Sequence, residues 1–117
     1  LGDVYKRQVQ RLVRQIPVPD KVVEAILSLV RSARPGTGAD AEVDRYVAWG
    51  PGPRASQALM LAVRAKALID GRLAPSIDDV VALAEPILKH RMALKFAARA
   101  DNQDLSGIIA RLAAKAG

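Results

Sequence analysis

Residues 50–69 read GPGPRASQALMLAVRAKALI and contain the clearest helix in the sequence. The first three residues, Gly50-Pro51-Gly52, cannot continue a regular helix, which predicts a tight connector, and Pro53 suits the first turn of the helix that follows. We predict that this helix runs from Pro53 to about Ile69, with apolar side chains on nearly every side and a polar strip that begins at Arg54. A helix that is apolar nearly all round is expected to be central and buried.

Two helices are predicted before this central one. Residues 9–16 form the end of the first, which stops at Pro17, and Val18-Pro19 is extended because a residue before proline avoids the helical region. Asp20 is predicted to cap the second helix. Apolar residues of the second helix recur at three- and four-residue steps and share one face; they are Val22, Val23, Ile26, Leu29, Val30 and Ala33.

Further helices are predicted after the central one. Ser76 is expected to cap a helix, with Asp79 in the place of the Glu of a capping box. Because Pro86 lacks an N–H and would clash within a continuous helix, we expect a break near Glu85 and a short helix beyond it. A last helix is predicted from about Asp104. The inner face of the helix after Ser76 is expected to consist of Ile77, Val80, Val81 and Ala84.

These elements predict an all-α fold, a small bundle of about five helices. Two segments stay open between helix and extended chain. Residues 42–49 fit either form, and Leu94 and Phe96 alternate weakly, as in a strand. Short extended segments are therefore allowed near residues 43–49 and 93–99.

The composition fits one small domain of 117 residues. Half of the residues are hydrophobic but only 3% are aromatic, so the core must consist of Leu, Ile, Val and Ala. The absence of cysteine excludes disulfides and thiolate metal sites, and it fits a cytoplasmic protein. No apolar run approaches the roughly 20 residues needed to span a bilayer, and no signal peptide is visible.

Residues 1–8 are interpreted separately from the domain. Residues 3–8, DVYKRQ, are encoded by GAT GTG TAT AAG AGA CAG, which matches the transposon end of common sequencing adapters. We therefore expect residues 1–8 to be translated adapter and residues 9–117 to be the domain, cut from a longer protein; a genuine basic helix start is the alternative. Without residues 1–8 the chain keeps 16 basic and 11 acidic residues, and the net charge falls from +6 to +5.

Few side chains could support catalysis. His90 is the sole histidine, no cysteine is present, and the scattered carboxylates lack the spacing of metal ligands. The phosphate-loop pattern GxxxxGK[ST] is absent, and the segments Gly36-Thr37-Gly38 and Gly50-Pro51-Gly52 are too short to cradle a phosphate. The chain alone is therefore expected neither to hold nor to cleave ATP.

The basic residues are spread along the chain rather than concentrated in one recognition helix. Outside residues 1–8 the aromatic residues are Tyr46, Trp49 and Phe96, too few for a groove that stacks single-stranded bases. A duplex-binding helix-turn-helix has no supporting pattern either. Nucleic acid is therefore not the expected partner.

Five segments carry a family resemblance in the right order. Residues 46–56 resemble the G-x-x-P-R-A signature of the MoxR family of AAA+ ATPases and the residues before it. Pro51 and Gly52 depart mildly from the small residues usual there, as Ile77 does from the usual Pro. The match covers about residues 9–116. The other four segments resemble the family's V-R-x-T-R-P, A-K-A…G-R, T-P-D-D-V and P-V-L-R-H-R stretches and lie at residues 31–35, 65–72, 76–80 and 86–91.

This resemblance implies that the chain is the helical lid of an AAA+ ATPase, in which ATP lies between the lid and a larger α/β domain. Arg54 matches the second-sensor arginine that reaches the ATP phosphates, with Gly52 and Pro53 beside it at the cofactor. The missing N-terminal α/β core would hold Mg²⁺ and cleave ATP, so this fragment alone would be inactive. The family also implies a homo-hexamer and chaperone-like maturation of an unidentified client protein.

Arg54 also has a physical case of its own. A cation at a helix N-terminus is mildly unfavourable, which calls for a compensating anion. The guanidinium is planar and always charged, and it can bind phosphate oxygens in a bidentate way.

Two rival functions stay open: an independent helical module that binds a protein partner, and a basic domain that binds nucleic acid. A phosphate loop and an Asp-Glu metal motif upstream in the same gene would favour the lid.

Overall fold

The structure is a computed structural model that describes residues 2–116. Its elements, in chain order, are α1 (Gly2–Gln15), α2 (Asp20–Ser32), α3 (Ala41–Tyr46), β1 (Val47–Trp49), α4 (Arg54–Ile69), α5 (Ile77–Leu88), a 3-10 turn (Lys89–Arg91), β2 (Ala93–Leu94), α6 (Phe96–Ala100) and α7 (Leu105–Ala116). The all-α prediction is confirmed. Residues 2–116 contain seven α-helices instead of about five, because α3 and α6 are short helices beside the two strands.

The core lies between α2, α4, α5 and α7. α4 packs against α1, α2 and α5, and α5 also packs against α2 and α7. Leu29, Leu59, Leu88 and Ile109 are fully buried where these helices meet. Burial of such aliphatic side chains is the main term that holds the helices together. Among residues 2–116, no helix is long and apolar enough to cross a membrane.

The predicted burial of α4 on all sides is wrong. Its buried residues recur every four positions on one stripe: Ala55, Leu59, Val63 and Ala67. The opposite side stays open, where Leu61 is 47% exposed and Ile69 is 83% exposed. α1, α2 and α5 contact α4 over only part of its circumference, and Leu61 and Ile69 lie outside the fully buried stripe.

The predicted break near Glu85 is also wrong, since α5 continues through Pro86 to Leu88. Pro86 leaves the carbonyl of Ala82 without its helical donor. Ala82 and Pro86 are both exposed, so water can serve that carbonyl at little cost. The inner face of α5 also differs at one position, because Val81 is 42% exposed.

The caps of two helices had been predicted from sequence. The capping box of α5 is confirmed, with the backbone N–H of Ser76 donating to Asp79 Oδ2 at 2.8 Å. Asp20 is not the cap of α2. It is the first helical residue, Pro19 holds the cap position, and no side chain caps this end.

Both open segments combine helix and strand. α3 ends at Tyr46 and β1 follows directly, while β2 covers only two residues before α6 begins. β1 and β2 pair antiparallel, with Val47 opposite Leu94 and Trp49 opposite Ala93. The backbone N–H of Lys95 donates to the Tyr46 carbonyl at 2.7 Å and extends this pairing. The pairing holds β1 in place just before the connector that leads into α4.

Candidate functional site

The connector between β1 and α4 is packed against the turn that follows α2. A Cβ on Gly50 would lie 2.6 Å from the Ala33 carbonyl oxygen and 2.9 Å from the Arg34 Cα. Pro51 is buried, and its carbonyl accepts a hydrogen bond of 3.2 Å from Arg34 Nε. The connector therefore needs glycine at position 50 for close backbone approach.

Arg54 is the first residue of α4 and faces away from the core. Pro53 holds the cap position with φ −58° and ψ −29°, and the Ala55 N–H donates to the Gly52 carbonyl at 3.1 Å. Ala55 is fully buried, whereas Gly52, Pro53 and Arg54 are exposed together. The three residues predicted for the cofactor thus lie side by side on one turn.

The Arg54 side chain has no hydrogen bond or ion pair within residues 2–116. The first turn of α4 contains no acidic residue either. Free N–H groups at a helix start and a guanidinium on the same turn both attract an anion. The turn at residues 52–55 therefore fits a phosphate group.

No comparable assembly surrounds the other candidate groups. His90 is exposed on the 3-10 turn. Across residues 2–116, no three His, Cys, Asp or Glu side chains come together in a way that could hold a metal ion.

An ion pair that sequence reasoning missed ties α3 to α7. Asp40 is almost fully buried, its Oδ1 caps α3 by accepting from the Val43 N–H at 3.1 Å, and Arg111 donates to its two oxygens at 2.7 and 2.9 Å. The Arg111 guanidinium lowers the pKa of Asp40 to about 2. Glu42 Oε2 also lies 2.8 Å from Arg111 Nε and forms an ion pair with it, but the angles of this contact are not those of a hydrogen bond. The position of Asp40 before a helical segment signals the cap, but no local pattern indicates Arg111.

Just beyond the C-terminal end of α4, Arg72 lies at the centre of a second network of ion pairs. Its guanidinium donates to both oxygens of the buried Asp79, each at 2.8 Å, and to Asp70 Oδ2 at 2.9 Å. Lys66 forms a further ion pair with Asp70 at 3.1 Å. The Arg72 hydrogen bonds lower the pKa of Asp79 below its ordinary value. Every charge here has a partner, in contrast to Arg54.

Comparisons with known proteins agree with the expected resemblance. Residues 39–111 match the family described as AAA lid domain. Over 60 residues the chain is 38% identical to Chaperone MoxR1 of Mycobacterium tuberculosis, a match that covers 51% of this chain and 16% of that protein.

A solved structure shows the same fold. The crystal structure of a candidate ATPase from Cytophaga hutchinsonii superposes with a TM-score of 0.78 at 23% sequence identity, over 87% of this chain and 31% of that one. The chain thus spans less than a third of either protein. The resemblance to a MoxR-type lid that residues 46–56 suggested is confirmed.

Proposed function

The chain belongs to the AAA lid domain family, and on this premise we propose that it closes over ATP in a MoxR-type AAA+ ATPase and senses the phosphates through Arg54. The observation that carries the proposal is the contrast between Arg54 and the start of the connector. Arg54 is exposed and has no partner within residues 2–116, while Gly50 and Pro51 are packed tightly against the turn that follows α2. Such an arginine is held in place for a ligand rather than for the fold.

ATP supplies the phosphate charge for this contact and is the molecule cleaved when the α/β core has bound Mg²⁺. Arg54 binds phosphate oxygens through its planar fork, and Gly52 and Pro53 set the direction of that fork. Gly50 and Pro51 hold the start of α4 against the end of α2. Force applied at Arg54 therefore reaches both helices. When the phosphate contact is lost, Arg54 is released and the lid rotates as one body.

The remaining parts of the proposal concern the whole protein. The α/β core of the same chain cleaves ATP, and this fragment alone is inactive. The complete protein assembles as a homo-hexamer in the cytoplasm and matures an unidentified client protein in the manner of a chaperone. The name of the Mycobacterium tuberculosis relative, Chaperone MoxR1, supports the chaperone role.

The test uses the complete ATPase that contains this lid. Arg54→Ala should reduce ATP turnover roughly 10- to 100-fold, because a phosphate-binding cation is lost where charge develops. Binding of ADP should weaken much less. Turnover by phosphate release and ADP affinity by calorimetry give the two values.

The matched control is Arg99→Ala, since Arg99 is an exposed arginine on α6, which takes no part in the connector. This variant should keep both values. Equal loss of ATP turnover and ADP binding in Arg54→Ala, or no loss of either, would contradict the sensing role.

A further inference from the structure

A groove of about 660 Å³ opens on the exposed side of α4, where α1 and the start of α2 lie beside it. Its apolar wall consists of Val18, Val23, Met60 and Leu61. Gln57 and two arginines, Arg14 and Arg64, complete the lining. We call this surface the α1–α4 groove.

Arg64 is not satisfied by the fold. Its Nε is buried, yet it has no hydrogen-bond partner within residues 2–116. A buried donor without an acceptor is costly, and such groups are rare in folded proteins. Neither Arg14 nor Arg64 forms an ion pair within the same residues, whereas Arg72 and Arg111 each bind buried carboxylates. The groove therefore holds two guanidiniums and lacks an acid.

We propose that the α1–α4 groove binds a protein segment that places a carboxylate beside an aliphatic side chain. The carboxylate would accept from Arg64 and Arg14, as bidentate pairing of arginine with a carboxylate favours. The aliphatic side chain would cover Val23, Met60 and Leu61. A nucleic-acid backbone fits less well, because its phosphates would desolvate against this apolar wall.

This inference goes beyond the nucleotide-sensing proposal and does not depend on Arg54. The side chains of Met60 and Leu61 line the groove, while Leu59 and Val63 belong to the buried stripe of α4. One face of α4 therefore builds the core of the domain, and another presents this groove to a partner.

The experiment titrates the 117-residue chain with two peptides at low salt, observed by ¹⁵N nuclear magnetic resonance. The first peptide is acetyl-Gly-Asp-Leu-Leu-Asp-Gly-amide, and the second has Asn in place of both Asp. The acidic peptide should shift the amide signals of Val23, Met60 and Leu61 and the Nε–H signal of Arg64. The Asn peptide should bind at least about tenfold more weakly, since it cannot form the charged pairs.

Variants then separate binding from folding. Arg64→Met should weaken binding of the acidic peptide about tenfold or more. The melting temperature of this variant should stay equal to that of the unaltered chain or rise, because the unpaired buried donor is gone. Arg99→Met is the matched control outside the groove and should bind like the unaltered chain.

Several results would overturn the proposal. They are the absence of shifts at millimolar peptide, equal binding of the two peptides, and a lower melting temperature in Arg64→Met without loss of binding. A DNA duplex that shifts the same signals and displaces the peptide would assign the groove to nucleic acid instead.

Discussion

The two ends of α4 hold arginines in opposite ways. At the start of the helix, Arg54 is exposed and unpaired within residues 2–116, and the connector that leads to it is tightly packed at Gly50 and Pro51. Beyond its end, Arg72 binds both oxygens of Asp79 and one of Asp70. The helix has 16 residues, so its ends lie about 24 Å apart.

The contrast separates an arginine that builds the fold from one that is available to a ligand. Arg72 neutralises a buried carboxylate, and Asp79 would be costly without it. Arg54 neutralises nothing among residues 2–116, and its helix end repels a cation slightly. A position that is rigid in its backbone and unsatisfied in its side chain is what ligand binding requires.

The largest effect is expected at the connector. Gly50→Ala would push a Cβ into the Ala33 carbonyl and the Arg34 backbone, neither of which can move alone. We expect the free energy of unfolding to fall by about 1–3 kcal/mol, as for overpacking of a core. Urea denaturation followed by circular dichroism measures it.

Gly52→Ala serves as the control for that change, because nothing lies within 4 Å of a Cβ at position 52. Its stability should change by less than about 0.5 kcal/mol. If both variants were equally stable, the connector would not be packed against the turn after α2. The packing of the connector could then no longer explain how Arg54 is held in position.

The next effect concerns Arg72. Arg72→Met leaves the buried carboxylate of Asp79 with the Ser76 N–H and a distant Lys66 at 3.9 Å. We expect the free energy of unfolding at pH 7 to fall, but by less than in Gly50→Ala, because the Arg72 side chain is 34% exposed and partly screened by solvent. The same denaturation measurement applies.

The pH dependence identifies the cause of that loss. The pKa of Asp79 is lowered in the folded state by Arg72, so the pair stabilises the fold above the ordinary Asp pKa near 4. This stabilisation disappears as the pH falls through the lowered pKa. The stability gap between Arg72→Met and the unaltered chain should therefore shrink toward acid pH; a gap that stayed constant would point to lost packing instead of lost charge.

The smallest effect is expected for Arg54→Met, the same substitution at the other end of α4. With no partner to lose among residues 2–116, the isolated chain should change in stability by less than about 0.5 kcal/mol. Thermal and urea denaturation check this value. A loss as large as that of Arg72→Met would show that Arg54 supports the fold, and the contrast between the two ends would fail.

Local rules predicted much of the chain. The capping box follows from two residues three positions apart, Ser76 and Asp79, and the connector at residues 50–53 follows from the restrictions on Pro and Gly. Local rules failed where surroundings decide the outcome. Pro86 is tolerated because Ala82 faces solvent, and α4 is buried on one stripe because its neighbours cover only that stripe.

For the candidate site, the sequence predicted Arg54 and its place at the start of a helix, because helix starts and family motifs both depend on residues that are adjacent in the sequence. That residues 1–8 are translated adapter remains a prediction; the described residues among them, 2–8, are all exposed. The partners of the charged residues could not be predicted. Asp40 and Arg111 lie 71 positions apart, and Arg34 reaches the Pro51 carbonyl across 17.

The sequence alone therefore determined the positions of α2, α4 and α7 and of the connector, because these depend on local backbone preference and on periodic apolar side chains, and its motifs carried the family resemblance. Only the tertiary structure decided which arginines are paired and which stay available. Arg111 pairs with Asp40 because α3 and α7 meet through packing, and no spacing along the chain encodes that distance. Arg72 lies within seven residues of both of its partners, but the path of the chain between α4 and α5 brings the three side chains together, whereas no acid reaches Arg54 within residues 2–116.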